Sequence, residues 1–370
     1  MWAAHCDPAH RHLALDLVED EISHMWLVDG GANRLHLAEV HRPGDVGAMG
    51  RERERLRQGQ PPERPYSELP PEYSDPAARL KALDTWGVDE TVLFPNYGLL
   101  LERPLAHDLP ATLANLRAWN RWAAIVATEG GGRLHPVAQL TLRDLDWLEA
   151  ELAAASAAGI RLGMVSPALV DGKPLSHSDL DQAWSAFVHH GITPVFHVAA
   201  FPHVFHDPWY EGDPDTVNPV LDSVFLWTPA ALSLADLAIH GTFERHPDLR
   251  VGVMELSAGW FPTFLLMLDG GFDFHRRFNG EPLTALAERP STYLLRHVRV
   301  AAFAIEGPAD LVASTGPGTF MYCSDWPHAE GLPNPVDDYR RATADLDERD
   351  PAGAAGLWHA NIDFLLRRTR

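Results

Sequence analysis

"RLHPVAQLTLRDLDWLEAELAAASAAGIRLGMVS", residues 133–166, is the stretch whose reading decides the fold. It opens on an apolar run (133–141) that is short for a helix and too continuous for a strand with one wet face. "RDLDWLEAELAAASAAG" then spaces Leu145, Leu148 and Leu152 along one helical stripe and stops at Gly159. "IRLGMVS" (160–166) is a second apolar run. Strand, amphipathic helix and strand in this order make a βαβ unit, whose parallel strands are buried on both faces.

The alternation extends in both directions. Upstream, "DPAARLKALDTWGVD" (75–89) predicts a helix with Leu80 and Leu83 on one face and Gly87 at its end, followed by the strand "ETVLFP" (90–95) and the long helix "ATLANLRAWNRWAAIVAT" (111–128). Downstream, "HSDLDQAWSAFVHHG" (177–191) is a helix capped by Ser178, with Leu180, Trp184 and Phe187 inward, and "TPVFHVA" (193–199) a strand. "LSLADLAIHGTFERHP" (232–247) reads as helix, "LRVGVMEL" (249–256) as strand, and "FPTFLLMLDGGFDFHRRF" (261–278) as a helix with Pro262 in its first turn. "HVRVAAFAI" (297–305) and "GTFMYCSD" (318–325) are the last strands; "PVDDYRRATADL" (335–346) and "AAGLWHANIDFLL" (354–366) are the last helices. Such a series predicts an α/β fold with a parallel sheet, closed or open. Seven strands follow residue 88 where a (β/α)8 barrel needs eight, so its first strand is missing or atypical.

Residues 1–76 read differently. "HRPGDVGAMGRERERLRQGQPPERPYSELPPEYSDP" (41–76) is charged, rich in proline and glycine, and without sustained period. We read residues 1–76 as an arm or flap, with a small hairpin in "MWLVDGGANRLHL" (25–37) turning at Asp29-Gly30-Gly31. Residues 77–370 form the barrel domain. The stretch at about 199–230, "AAFPHVFHDPWYEGDPDTVNPVLDSVFLWTP", lacks a period and is long for a loop, so it reads as a lid that brings His203, His206, Trp209 and Tyr210 to the site.

Composition excludes several functions. Lys and Arg total 30 against 51 Asp and Glu, a formal charge of −21, which repels phosphate backbones and anionic lipid. Neither nucleic acid nor a membrane is the expected partner; a small molecule is. The two cysteines, Cys6 and Cys323, stand far apart and form neither a disulfide framework nor a cysteine zinc site. The start, "MWAAHCDPAHRHL", lacks the basic region and apolar run of a signal peptide. A cytoplasmic location is the expectation.

In parallel α/β folds the chemistry sits at the carboxyl ends of the strands. The polar residues there are Asn96, His197, Glu255 and Asp325, and His328 follows three positions after Asp325. Imidazole and carboxylates converging on one mouth suit a metal or acid–base site. Bland readings stand beside these. Asp325 can open a turn before Trp326-Pro327, His197 can be a buried hydrogen-bonded histidine, Glu255 can pair with Arg79 or Arg299, and His328 can lie on the surface.

At this point the residues resemble the amidohydrolase-related family, in the branch of aminocarboxymuconate-semialdehyde decarboxylase and related aromatic-acid decarboxylases. "CSDWPHAEG" (323–331) resembles its strand-eight motif, "GTFERHPDLRVGVMELSAGWFP" (241–262) its strand-six segment, and "YSDPAARLKALDTWGVDETVLFPNYGL" (73–99) its first helix and second strand. "HANIDFLL" (359–366) resembles its closing asparagine helix. The resemblance implies a distorted (β/α)8 TIM barrel of the metal-dependent hydrolase type. It implies one divalent metal, zinc or alternatively manganese, held by His197 and Asp325. Asp325, Glu255 and His328 take the catalytic positions, with metal-activated water giving or taking its proton at Asp325. The family's first-strand Asp-x-His-x-His is absent from this chain. Either that strand lies upstream, or the chain is a divergent member without that half of the metal site.

The function so implied is hydrolysis or non-oxidative decarboxylation of a small aromatic or cyclic carboxylic acid, amide or ester. Phe94, Trp209 and Trp326 would pack the ring, Asn96 would line the site, and Arg79 would take a carboxylate. The alternative is a metal-free relative on the same barrel, a cofactorless lyase or a non-catalytic binding protein. The long arm and the family habit suggest a homodimer.

Overall fold

The computed structural model describes residues 1–22, 25–29, 33–36, 44–63, 69–102, 105–198, 207–209, 220–280, 286–328 and 331–368. The chain divides into two compact units. One comprises residues Met1–Gln139, Ala154–Ile160 and Ser324–Asp338; the other comprises Leu140–Ala153, Arg161–Cys323 and Tyr339–Arg370.

In the first unit, β1 (Asp16–Glu19), β2 (Met25–Asp29) and β3 (Asn33–His36) form an antiparallel sheet. The β2–β3 register pairs Asp29 with Asn33, so the expected hairpin forms, its turn at 30–32 lying outside the described residues. Sequence pattern did not announce β1, a four-residue strand too short to show alternation.

Helix Ala48–Arg57 also rises from a stretch read as irregular. No proline interrupts 44–60, and Met, Glu, Arg and Leu are good helix formers, but without an apolar stripe nothing showed in the period. The first residues are docked rather than loose. Trp2, Cys6 and Leu15 are buried against Leu101, Leu105, Ala111, Ala114 and Ala118. Asn115 fixes them further: its Oδ1 accepts from the Leu15 N–H (2.9 Å) and its Nδ2 donates to Leu13 O (2.9 Å).

Helix Pro76–Trp86 carries the expected signals. The Asp75 side chain accepts from the Ala77 N–H at 2.8 Å, Pro76 opens the first turn, and Gly87 closes it in the left-handed region (φ 66°). β4 (Thr91–Leu93) pairs parallel with β5 (Leu134–Pro136), and β6 is Ala138–Gln139.

In the second unit, β7 (Leu162–Met164), β8 (Thr193–His197), β9 (Val251–Met254), β10 (Val298–Ala302) and β11 (Phe320–Tyr322) lie side by side in chain order, all parallel. Every residue of β7 to β10 is buried, which is why these runs carry no alternation. Helices Asp181–His190, Thr228–Ile239, Trp260–Asn279, Pro290–His297 and Pro308–Thr315 supply the crossovers. The sheet interior is filled by Trp184, Phe187, Phe196, Phe261 and Phe320. Near the chain end Asn361 Nδ2 donates to both Pro317 O (2.8 Å) and Phe320 O (2.7 Å), pinning the entry into β11. Gly356 allows this approach, since a Cβ there would stand 2.2 Å from Pro317 O.

The stretch at 199–230 is only partly described. Residues 199–206 and 210–219, with His203, His206 and Tyr210, lie outside the described residues. What is described is more regular than a loop: a turn at Asp207–Trp209, helix Val220–Phe225, and helix Thr228–Ile239 starting four residues before the apolar pattern suggested. Pro229 in the first turn explains the earlier start, because its fixed φ suits that position and its missing N–H costs nothing there.

Candidate active site

The register of β8 against β9 pairs His197 with Met254. Glu255, one residue beyond, therefore lies beside His197, and the two meet at 2.9 Å (His197 Nε2 to Glu255 Oε2). His197 is 2% exposed and the Glu255 side chain 17%. The His197 Nδ1–H donates to Val198 O (2.8 Å), which fixes the ring and directs Nε2 at the carboxylate.

Glu255 reaches this place through unusual backbone. Its φ is 53° and that of Ser257 is 58°, in the left-handed region that costs a side-chain-bearing residue about 1–2 kcal/mol. The turn is held on all sides. Trp260 Nε1 donates to Leu256 O (3.0 Å) and Ser257 O (2.9 Å). Glu306 Oε1 accepts from the N–H groups of Ala258 (2.7 Å) and Gly259 (3.1 Å).

The first unit holds a second carboxylate–histidine pair built the same way. Asp325, three residues past the end of β11, has φ 53°, and its Oδ1 accepts from His328 Nδ1 at 2.8 Å. The Asp325 side chain is 2% exposed. His328 Nε2 lies 3.2 Å from the side-chain oxygen of Asn96, which follows β4. Three of the residues marked by the sequence thus meet here, and two meet at the β8–β9 end.

The ring candidates divide. Trp326 is enclosed: Tyr73 meets it edge-on (5.0 Å), Trp86 lies tilted against it (4.8 Å), and the Arg79 guanidinium sits 4.2 Å over its ring. Arg79 Nε donates to Glu72 O (2.7 Å), and burial lowers its pKa to about 10, so it stays cationic at neutral pH. Trp209 is 71% exposed on its short turn, and Phe94 is half-buried after β4. Arg299, weighed above as a partner for Glu255, stacks instead on Phe364 (3.8 Å) and donates to Val298 O (2.8 Å).

Sequence reasoning missed Glu306 and Trp260. The signal for Glu306 was present, because it ends the apolar run 297–305 as Glu255 and Asp325 end theirs. Trp260 gave none.

No family model matches the sequence, and no curated protein matches it significantly. Solved structures do. An amidohydrolase from Mycobacterium avium subsp. paratuberculosis K-10 superposes with a TM-score of 0.75 at 24% identity, over 98% of this chain and 94% of that one. A 5-carboxyvanillate decarboxylase from Sphingomonas paucimobilis gives 0.62 at 19% identity, over 79% and 82%. A 5-carboxyvanillate decarboxylase from Novosphingobium aromaticivorans DSM 12444, complexed with manganese and 4-hydroxy-3-methoxy-5-nitrobenzoic acid, gives 0.60 at 18%, over 89% and 94%. These likenesses show the fold alone: the parallel βα units of this chain follow the α/β TIM-barrel fold that those proteins share, as the sequence led us to expect.

Proposed function

We propose that this protein is a metal-dependent carboxy-lyase that removes CO2 from a small aromatic carboxylic acid. One observation carries the reading. Two carboxylates, Glu255 and Asp325, each follow a parallel strand in left-handed backbone, each within hydrogen-bond distance of a histidine. Backbone strain of this kind persists where the surrounding structure holds a side chain for use. Decarboxylases among the similar folds support the class of substrate.

The donor chemistry fits a divalent metal. His197 offers a ring nitrogen with its other nitrogen fixed, and carboxylates supply hard oxygen, a set that suits manganese or zinc. His197 and Asp325 are the proposed ligands, and manganese is the first metal to test, since a structurally similar decarboxylase is complexed with it. When bound, the metal would act as a Lewis acid on the oxygens of the substrate.

The protein's own groups do the rest. Asp325 delivers a proton to the ring carbon that bears the carboxylate, forming C–H. The C–C bond then breaks, its electron pair returns to the ring, and CO2 leaves. His328, bonded to Asp325, passes a replacement proton from solvent and keeps the carboxyl oriented. Glu255, whose Oε2 lies 2.9 Å from the His197 nitrogen proposed to bind the metal, would offer the ion a further carboxylate oxygen. Phe94, Asn96, Trp209 and Trp326 line the ring site, and Arg79, seated on Trp326, receives an acidic substituent.

The test is CO2 release from a panel of hydroxylated aromatic acids, including 2,6-dihydroxybenzoate and 5-carboxyvanillate, with Mn2+ or Zn2+ added. Turnover that disappears in Asp325→Asn supports the reading; no release from any acid with either metal overturns it. A second reading, hydrolysis of an amide or ester by the same groups, is favoured by the amidohydrolase superposition, and an ester panel run alongside separates the two.

A further inference from the structure

We propose that Glu306 is a positioning residue that aims Glu255 by clamping the turn after β9 to the end of β10. The inference rests on the proposed function only for its catalytic consequence. Glu306 Oε1 accepts from Ala258 and Gly259, at 2.7 and 3.1 Å, and Oε2 accepts from the Phe303 N–H at 3.0 Å. Phe303 is the residue that follows β10, so one carboxylate joins two neighbouring strand ends. With both oxygens taken by backbone N–H groups, it is a support and not a reagent.

Three physical facts make the clamp consequential. The turn carries left-handed φ at Glu255 and Ser257, a conformation that relaxes unless its neighbours hold it. Helix Trp260–Asn279 starts at this turn, so Ala258 and Gly259 offer N–H groups at the positive end of its dipole, where an anion is favoured. Trp260 fixes the carbonyl side, donating to Leu256 O and Ser257 O, which leaves the N–H side to Glu306. Releasing that side frees the backbone that brings Glu255 to 2.9 Å from His197.

Two substitutions test the clamp. Glu306→Gln keeps the length but sets an amide NH2 against a backbone N–H, and Glu306→Asp keeps the charge but is too short to span both strand ends. In both, amide exchange in the peptide covering 255–260, read by mass spectrometry, should quicken ~10-fold or more, with helix Asp181–His190 unchanged. The His197 ring nitrogen resonance, assigned by its loss in His197→Asn, should shift. Turnover should fall ~10- to 100-fold in kcat, as for other groups that orient an active-site residue, with KM within about threefold because Glu306 touches no substrate. Unchanged exchange at 255–260 together with an unmoved His197 resonance overturns the proposal. If the wild-type protein turns over no acid, the proposed function fails, while exchange and resonance still decide the clamp.

Discussion

Glu255→Asp and Glu255→Gln separate reach from charge beside His197. Asp removes one methylene, ~1.5 Å of reach, so the 2.9 Å contact opens to ~4.4 Å, beyond hydrogen-bond range. A hydrogen bond to a charged group is worth about 1.5–3 kcal/mol. Part of that loss is offset, because Asp enters the left-handed region at φ 53° several-fold more readily than Glu, a gain of roughly 0.5–1 kcal/mol. Glu255→Asp should therefore lose only about 1–2 kcal/mol in urea unfolding. Gln keeps the reach and an acceptor oxygen, and should lose about 1 kcal/mol. Activity should follow neither number. If the carboxylate's charge and position both serve the chemistry, CO2 release by each variant should fall by roughly 100-fold or more. The assay pairs urea denaturation with turnover of the best acid of the panel in Mn2+. An Asp variant within tenfold of wild-type turnover would refute the role given to Glu255. A loss above about 4 kcal/mol would mark the residue as structural instead.

Other expectations come from the same structure. Asn361→Ala should cost about 2–3 kcal/mol in urea unfolding, since it orphans the Pro317 and Phe320 carbonyls. Burial holds the His297 imidazole below its ordinary 6.5, and its Nδ1–H donates to Leu249 O. As pH falls below 6.5 the unfolded chain takes up that proton first, so this contribution to stability is complete above 6.5 and is lost on acidification. The melting temperature of His297→Gln should accordingly drop less between pH 7.5 and 5 than that of the wild type. Arg79→Met should raise KM for the aromatic acid ~10- to 100-fold with little change in stability, and Arg79→Lys should not restore it, because the stack on Trp326 needs a planar cation.

β4, β7, β8, β9, β10 and β11 all fall inside the apolar runs that predicted them, and β7 to β10 were legible because burial on both faces leaves such runs continuous. The helix Ala48–Arg57 was not, because its sequence is charged almost throughout from Arg51 onward and carries no apolar stripe. Half of the candidate site was legible in the same way. Asp325 and His328 are three residues apart, so local geometry alone lets them meet. His197 and Glu255 stand 58 positions apart, and their contact depends on the register of two strands that composition does not encode. Glu306 does end its apolar run as Glu255 and Asp325 do, but its role was not legible there, because its partners are backbone N–H groups of another strand end.

Metal retention tests the central claim most directly. Protein reconstituted with Mn2+, desalted and measured by elemental mass spectrometry should hold about one ion per chain, and His197→Ala and Asp325→Ala should each lose it while remaining folded. Wild-type protein that retains none, or variants that retain as much as the wild type, would contradict the account.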